Sequence, residues 1–306
     1  MAGTGNEVES GGSDPILAEL YREPFRIVLP REQTAPFVFA SPHSGRLYPA
    51  DFVAKSNLAP LALRRSEDAF ADELFESAVG RGAPMIAARF PRVFLDVNRA
   101  PSELDSAMFD GALHVEVGAP STRVAAGLGV IPRVVRDGAE IYRGRLFPAD
   151  AEKRLARLYR PYHAALAGLI EKTRARFGVA ILVDCHSMPS ASSIPDIVLG
   201  DRYGVSASAA LMRHTERAFE ACGFSTARNT PYAGGYTTLL YGRREQGVHA
   251  LQIEVNRTLY LDEARIERLA CFAETRARLS EALGKLVAMD TNLLMPNPPR
   301  QSLAAE

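Results

Sequence analysis

The sequence carries no excess of either charge. Lys plus Arg and Asp plus Glu each number 36 among 306 residues, so the formal net charge is zero. That excludes the broad positive field with which proteins gather nucleic acid or acidic membrane surfaces, and it leaves electrostatics to local groups. Cysteine is scarce: Cys185, Cys222 and Cys271 are odd in number and form no CxxC pair. A disulfide framework is not expected from them, and unpaired thiols fit a reducing, cytoplasmic setting. Long apolar runs are missing too. The longest, such as Val179–Val183, are strand-length and far short of a membrane span. The opening MAGTGNEVESGGSDP has neither a basic flank nor an apolar core, so it reads as a loose tail and not as a leader or anchor.

What is present is the make-up of a soluble globular protein, 47% apolar and 24% charged. The length suits one large α/β domain or two small ones. With no repeat and no low-complexity interior linker, one domain is expected. Six short apolar runs read as buried strands: Phe37–Ala40, Pro84–Ala88, Val93–Val97, Val179–Asp184, Asp196–Leu199 and His249–Val255. Between them, Asp68–Gly80, Pro148–Phe177, Ser206–Cys222 and Asp262–Met289 show helical periodicity, with Gly178 and Gly223 as stops. The alternation predicts a three-layer α/β/α domain around a central mixed, mostly parallel sheet, hydrolase-like in type, over residues 21–290. Residues 1–20 and 291–306 read as tails. The Gly- and Arg-rich stretch Val115–Leu146 reads as an excursion beside the sheet, either a lid or a solvent-facing hairpin.

Ligands collect at the carboxyl ends of strands in such sheets, and three predicted strand ends carry chemistry. VFASPHSG exposes His43 in a Pro/Ser/Gly loop. VAILVDCHSMPS does the same for His186, with Asp184 two residues earlier. HALQIEVNRTLYLDE places Glu254 inside an apolar strand. A lone histidine is more often structural than a ligand. Two in tight strand-end loops point to a metal, because Zn²⁺ takes neutral imidazoles plus a carboxylate and keeps a position for water. In LRRSEDAFADELF, Glu67 and Asp68 are the nearby acids; they serve equally well as helix caps, and spacing does not choose between them. Asp184 reads either as the hydrogen-bond partner of a ligating imidazole or as a strand-end acid. Ser44 and Ser187 each follow a histidine but lie outside any GxSxG frame. Cys185, on a strand, points to the face opposite His186. His114, His163 and His214 read as bystanders, and His249 as a weaker candidate for contact with the site.

SPHSGRLYP (41–49), SEDAFADELF (66–75), FLDVNRAP (94–101), VDCHSMPS (183–190) and GGYTTLLYGRREQGVHALQIEVNRTLYLDE (234–263) together resemble the N-formylglutamate amidohydrolases, distant structural relatives of the zinc carboxypeptidases. The resemblance spans roughly residues 37–287 and keeps the family's motif order. It implies a Zn²⁺ site (or another divalent metal) on His43, Asp68 and His186, the match favouring Asp68 over Glu67. It implies Glu254 as general base, and a grip on a substrate carboxylate by Asn98 and Arg99. Where family enzymes often read DWH at the acid, this chain reads EDAF.

An arginine fork is the expected clamp for such a carboxylate, with Arg99 first and Arg92, Arg133 and Arg257 as alternatives. In the loop Gly234–Thr238, Gly235 admits a close backbone approach and Tyr236 and Thr237 stand ready to touch a ligand; an ordinary turn accounts for it equally. The expected activity is hydrolysis of a small N-acyl amino acid, N-formyl-L-glutamate by resemblance and hence a place in histidine degradation. A different carboxylated amide and a silent binding protein are the alternatives.

Overall fold

Two nine-residue strands, Ala180–Met188 and Val248–Asn256, are buried along their whole length, so the sheet they form must be covered on both faces. Alternation decides what each face meets. On one side Ile181, Val183, Cys185, Leu251, Ile253 and Val255 join a cluster with the helices Ala209–Glu220 and Phe272–Val287. On the other, Ala180, Leu182, Val248 and Ala250 pack with Tyr162, Leu166 and Ile170 of a long helical stretch. The computed structural model describes residues 14–119, 121–135 and 137–295.

In chain order the sheet strands are β1 (Phe25–Val28), β2 (Phe37–Ser41), β3 (Met85–Ala88), β4 (Ala180–Met188), β5 (Ile197–Gly200), β6 (Thr226–Arg228) and β7 (Val248–Asn256), arranged β1-β3-β2-β4-β7-β5-β6. Only β1/β3 and β5/β7 are antiparallel. This is the expected three-layer α/β domain with a mixed, mostly parallel sheet. In the β4/β7 register His186 lies beside Glu254.

The helical stretch 148–177 forms as predicted, with a five-residue π-turn at Leu155–Tyr159 and a stop at Gly178 (φ 76°). Pro161 has no N–H to give the preceding turn, which fits the widening there.

Several expectations are corrected. Val93–Val97 is no strand: Phe94 and Leu95 donate their N–H groups to Pro91, closing a turn whose apolar side chains are buried without a sheet. Asp68 precedes its helix, which runs Ala71–Phe75 and tightens to a 3₁₀ stretch, Glu76–Arg81. The last predicted helix begins at Phe272; the chain before it makes a small Leu261–Asp262/Glu267–Arg268 hairpin. The described residues of 115–146 hold a helical turn, Thr122–Ala125, and a short antiparallel reversal in which Val134 bridges Glu140. Part of the predicted N-terminal tail is helix, Pro15–Arg22, capped by Asp14 and seated by the buried Leu20. Residues 291–294 are a 3₁₀ turn that buries Leu294. The tail expectations for residues 1–13 and 296–306 lie outside the described residues.

Candidate active site

The even-numbered side chains of β4 and β7 change character toward the carboxyl ends. Leu182 gives way to Asp184 and His186, and Ala250 to Gln252 and Glu254, on one face of adjacent strands. The loop after β2 delivers His43 beside them. Its Gly45 is required, because a Cβ there would lie 2.1 Å from the Phe90 carbonyl oxygen. Asp68 is tied to the same loop through its N–H, donated to the His43 carbonyl at 3.0 Å.

His43, Asp68 and His186 thus converge, with one ligand atom of each within 4.8 Å of the others, and all three are buried. Asp68 Oδ2 lies 2.9 Å from His186 Nδ1 and 3.3 Å from His43 Nδ1. The far nitrogens face carboxylates: His43 Nε2 to Asp96 Oδ1 at 2.7 Å, and His186 Nε2 to Asp184 Oδ2 at 3.0 Å. A carboxylate beside each Nε2 favours the ring proton there, where Asn98 Nδ2 also approaches His186 to 3.2 Å, and both Nδ1 atoms face inward. Buried His43 Nδ1 has no hydrogen-bond partner among the described residues. Arg257 takes the other oxygen of Asp68 (Nη2–Oδ1 2.9 Å), leaving Oδ2 to the cluster. Two imidazole nitrogens and one carboxylate oxygen are a donor set that suits Zn²⁺.

Charge points the same way. Asp68 is paired with Arg257 and Asp96 with Arg92 (Nε–Oδ2 3.0 Å), whereas buried Asp184 meets His186 alone and neither it nor buried Glu254 pairs with an arginine or lysine among the described residues. If both imidazoles ligated a metal as neutral groups, these two acids would face it without a guanidinium, an arrangement a divalent cation offsets. Burial works to raise the Asp68 carboxyl, yet hydrogen bonds and charge from His186 and His43 hold it well below the usual range. Burial likewise opposes ionisation of Asp96, which Arg92, His43 and Arg99 overcome.

Glu254 is pushed up to about 7, chiefly by burial and then by Asp68, against the pull of His186, Arg92 and Arg257. Gln252 donates to its Oε1 at 2.8 Å and accepts the Gly235 N–H at 3.0 Å. A carboxylate near neutrality at a cavity wall can both take and return a proton.

The cavity above these groups has about 600 Å³ and is lined by His43, Asp68, His186, Glu254, Asn98, Arg99 and Gly235, with Arg92, Arg123, Leu128, Pro132 and Val134 among the others. Part of the 115–146 excursion is therefore its rim. Tyr236 and Thr237 do not line it. A helix starts at Tyr236, whose ring turns toward His163, and the buried Thr237 donates its N–H to Asn98 Oδ1 at 2.8 Å. That bond orients the Asn98 amide so that Nδ2 faces Asp184 Oδ2 (3.4 Å). Gly235 makes its close approach to Asn98, where a Cβ would come within 2.4 Å of the amide.

Other candidates separate cleanly. Glu67 is held away from the cluster by Arg64 and by Tyr48 Oη at 2.7 Å. Arg133 pairs with Glu140, and Arg257 is fully engaged with Asp68, Ser187, Glu263 and the Glu67 carbonyl. Ser44 accepts from Ser41. Burial pushes the Cys185 thiol well up. His249 hydrogen bonds Ser208 and Leu294 near the amino end of β7, and His163 is packed among tyrosines. Sequence reasoning missed Asp96, although it carries the signal that marked Glu254: an acid inside an apolar run, FLDV.

Comparison with known proteins agrees. The family described as N-formylglutamate amidohydrolase matches residues 35–261. An N-formylglutamate deformylase of Pseudomonas aeruginosa is 32% identical over 265 residues, covering 83% of this chain and 93% of that protein. One from Pseudomonas putida is 28% identical over 74% of this chain and 82% of its own length. The crystal structure of N-formylglutamate amidohydrolase from Ralstonia eutropha JMP134 aligns at a TM-score of 0.81 and 36% identity, over 86% of this chain and 97% of that one.

Proposed function

Since this chain belongs to the N-formylglutamate amidohydrolase family, we propose that it hydrolyses N-formyl-L-glutamate to formate and L-glutamate, using Zn²⁺ or another divalent cation. His43, Asp68 and His186 would hold the metal, and Glu254 is the general base. One observation carries this reading: both imidazoles are turned Nδ1-inward onto one oxygen of Asp68, with Glu254 on the neighbouring rung of the sheet.

A zinc ion held by these residues would supply an acidified water, with a pKa near 7, and polarise the scissile carbonyl. Glu254 accepts a proton from the attacking water as its oxygen bonds to the formyl carbon. The carboxyl then returns that proton to the amide nitrogen as the C–N bond breaks. Arg99, held by the Leu128 carbonyl (Nε 3.0 Å) and the Asn98 carbonyl (Nη1 2.8 Å), keeps Nη2 for a substrate carboxylate. The reading extends to a cytoplasmic enzyme of histidine degradation; three free thiols and the absence of any membrane-spanning helix among the described residues fit that setting.

The test is Glu254→Gln. Gln keeps the shape and hydrogen-bonding reach but cannot take the proton. The variant should fold, bind zinc and lose roughly 10²–10⁴ in kcat. Chelation should abolish wild-type turnover and zinc should restore it. A folded Glu254→Gln enzyme turning over at the wild-type rate would remove Glu254 from the mechanism.

A further inference from the structure

The cavity holds more positive charge than its acids use. Of its four lining arginines, Arg257 and Arg92 are ion-paired with Asp68 and Asp96. Arg99 donates to two carbonyls, and its Nε is 4.0 Å from the Asp96 oxygen that Arg92 already holds. Arg123, on the rim turn Thr122–Ala125, has neither hydrogen bond nor ion pair among the described residues. The nearby Glu103 carboxylate is occupied by the Ala100 N–H and the Ser121 hydroxyl and does not line the cavity. Two guanidinium groups are thus left uncompensated, one buried and one at the mouth.

The same short loop places both. The Leu128 carbonyl accepts from Arg99 Nε, and the Leu128 N–H donates to the Arg123 carbonyl at 2.8 Å. Ser121 caps the rim turn through Val124 N–H, and the Val130 N–H bonds the Glu103 carbonyl. The backbone positions from which the two side chains reach the cavity are therefore set by the rim itself.

We propose that Arg123 is a second carboxylate anchor, so that the cavity selects dicarboxylic N-acyl amino acids: Arg99 holds the α-carboxylate and Arg123 the side-chain carboxylate. This rests on the hydrolase reading above and extends it to specificity. Arg99 adjoins Asn98 and the histidine cluster, and the α-carboxylate is the one nearer the scissile amide. The side-chain carboxylate of glutamate lies two methylenes further out, toward the mouth where Arg123 waits. The two guanidinium groups without an acid of their own then meet the two carboxylates of the substrate.

The experiment compares zinc-loaded wild type with Arg123→Ala on N-formyl-L-glutamate and N-formyl-L-glutamine. Arg123 is exposed and unpaired, so the fold should be undisturbed. The variant should lose about ten- to a hundred-fold in kcat/KM on the glutamate substrate, mostly through KM, and be unchanged on the glutamine substrate. Arg99→Ala should weaken both. Equal loss on the two substrates, or no loss on either, overturns the proposal while leaving the hydrolase reading intact.

A binding measurement separates the two claims. Calorimetry with glutarate and with butyrate reads the second anchor without turnover. A wild-type preference for glutarate that disappears in Arg123→Ala upholds Arg123 even if no formyl amide is cleaved. No such preference in the wild type overturns it.

Discussion

Asp96 serves three neighbours with its two oxygens. Oδ1 faces His43 Nε2 and accepts the Asn98 N–H at 2.8 Å, while Oδ2 receives Arg92. Asparagine at this position keeps the shape but loses the charge that would stabilise an imidazole holding a metal, and it turns its amide N–H groups toward one or more of the three donors. Asp96→Asn should leave the protein folded and weaken zinc about 10- to 100-fold, as loss of a partner behind a ligand typically does. Competition with a chromophoric chelator measures this; unchanged zinc affinity would make Asp96 a bystander. At this scale the sequence was legible where a residue was odd in its own local context. His43 sat in a tight loop after an apolar strand, whereas His186, expected in such a loop, interrupts its strand as Glu254 does. Arg257 was not legible, because one of some three dozen basic residues becomes the partner of Asp68 only through tertiary placement.

The long helical stretch 148–177 carries His163 between Val97, to which its Nε2 donates, and Tyr241, whose hydroxyl faces Nδ1. Burial lowers this imidazole to about 4. An unfolded chain protonates it near 6.5, so between these values the unfolded state binds more protons. Its contribution to stability is full above about pH 6.5 and is lost as pH falls toward 4. The wild type should lose about 1–2 kcal/mol more than a His163→Gln variant between pH 7 and pH 5, read from urea midpoints. Parallel pH dependences would show that His163 does not titrate there.

Strands with β-branched runs, and helices ending on glycine, could be read in advance. Val93–Val97 misled because a buried turn and a buried strand have the same apolar composition. β6 was missed because Thr226–Arg228 is too short and polar to signal.

Over the whole molecule, the proposed ligands at positions 43, 68 and 186 and the proposed base at position 254 meet at the centre of one sheet, whose two faces carry the two halves of the core. No separate lobe holds the site. In urea, activity and far-UV circular dichroism should therefore be lost with one midpoint. Activity lost well before the secondary structure would mean that the site opens locally. The layered architecture was legible from the alternation of strand and helix, but the strand order was not, since no local pattern records which strand a segment will join.

That order has a consequence for synthesis. β7 is the last strand of this sheet to leave the ribosome, yet it lies between β4 and β5. His43, Asp68 and His186 all emerge earlier, so a growing chain holds the proposed metal donors before it possesses Glu254. Until β7 arrives, β4 keeps one ladder edge open and β5 cannot take its place. Both are apolar edges of the kind that seek other chains. Release of a chain shortened before Asn256 would therefore yield an aggregating species, not a slower enzyme.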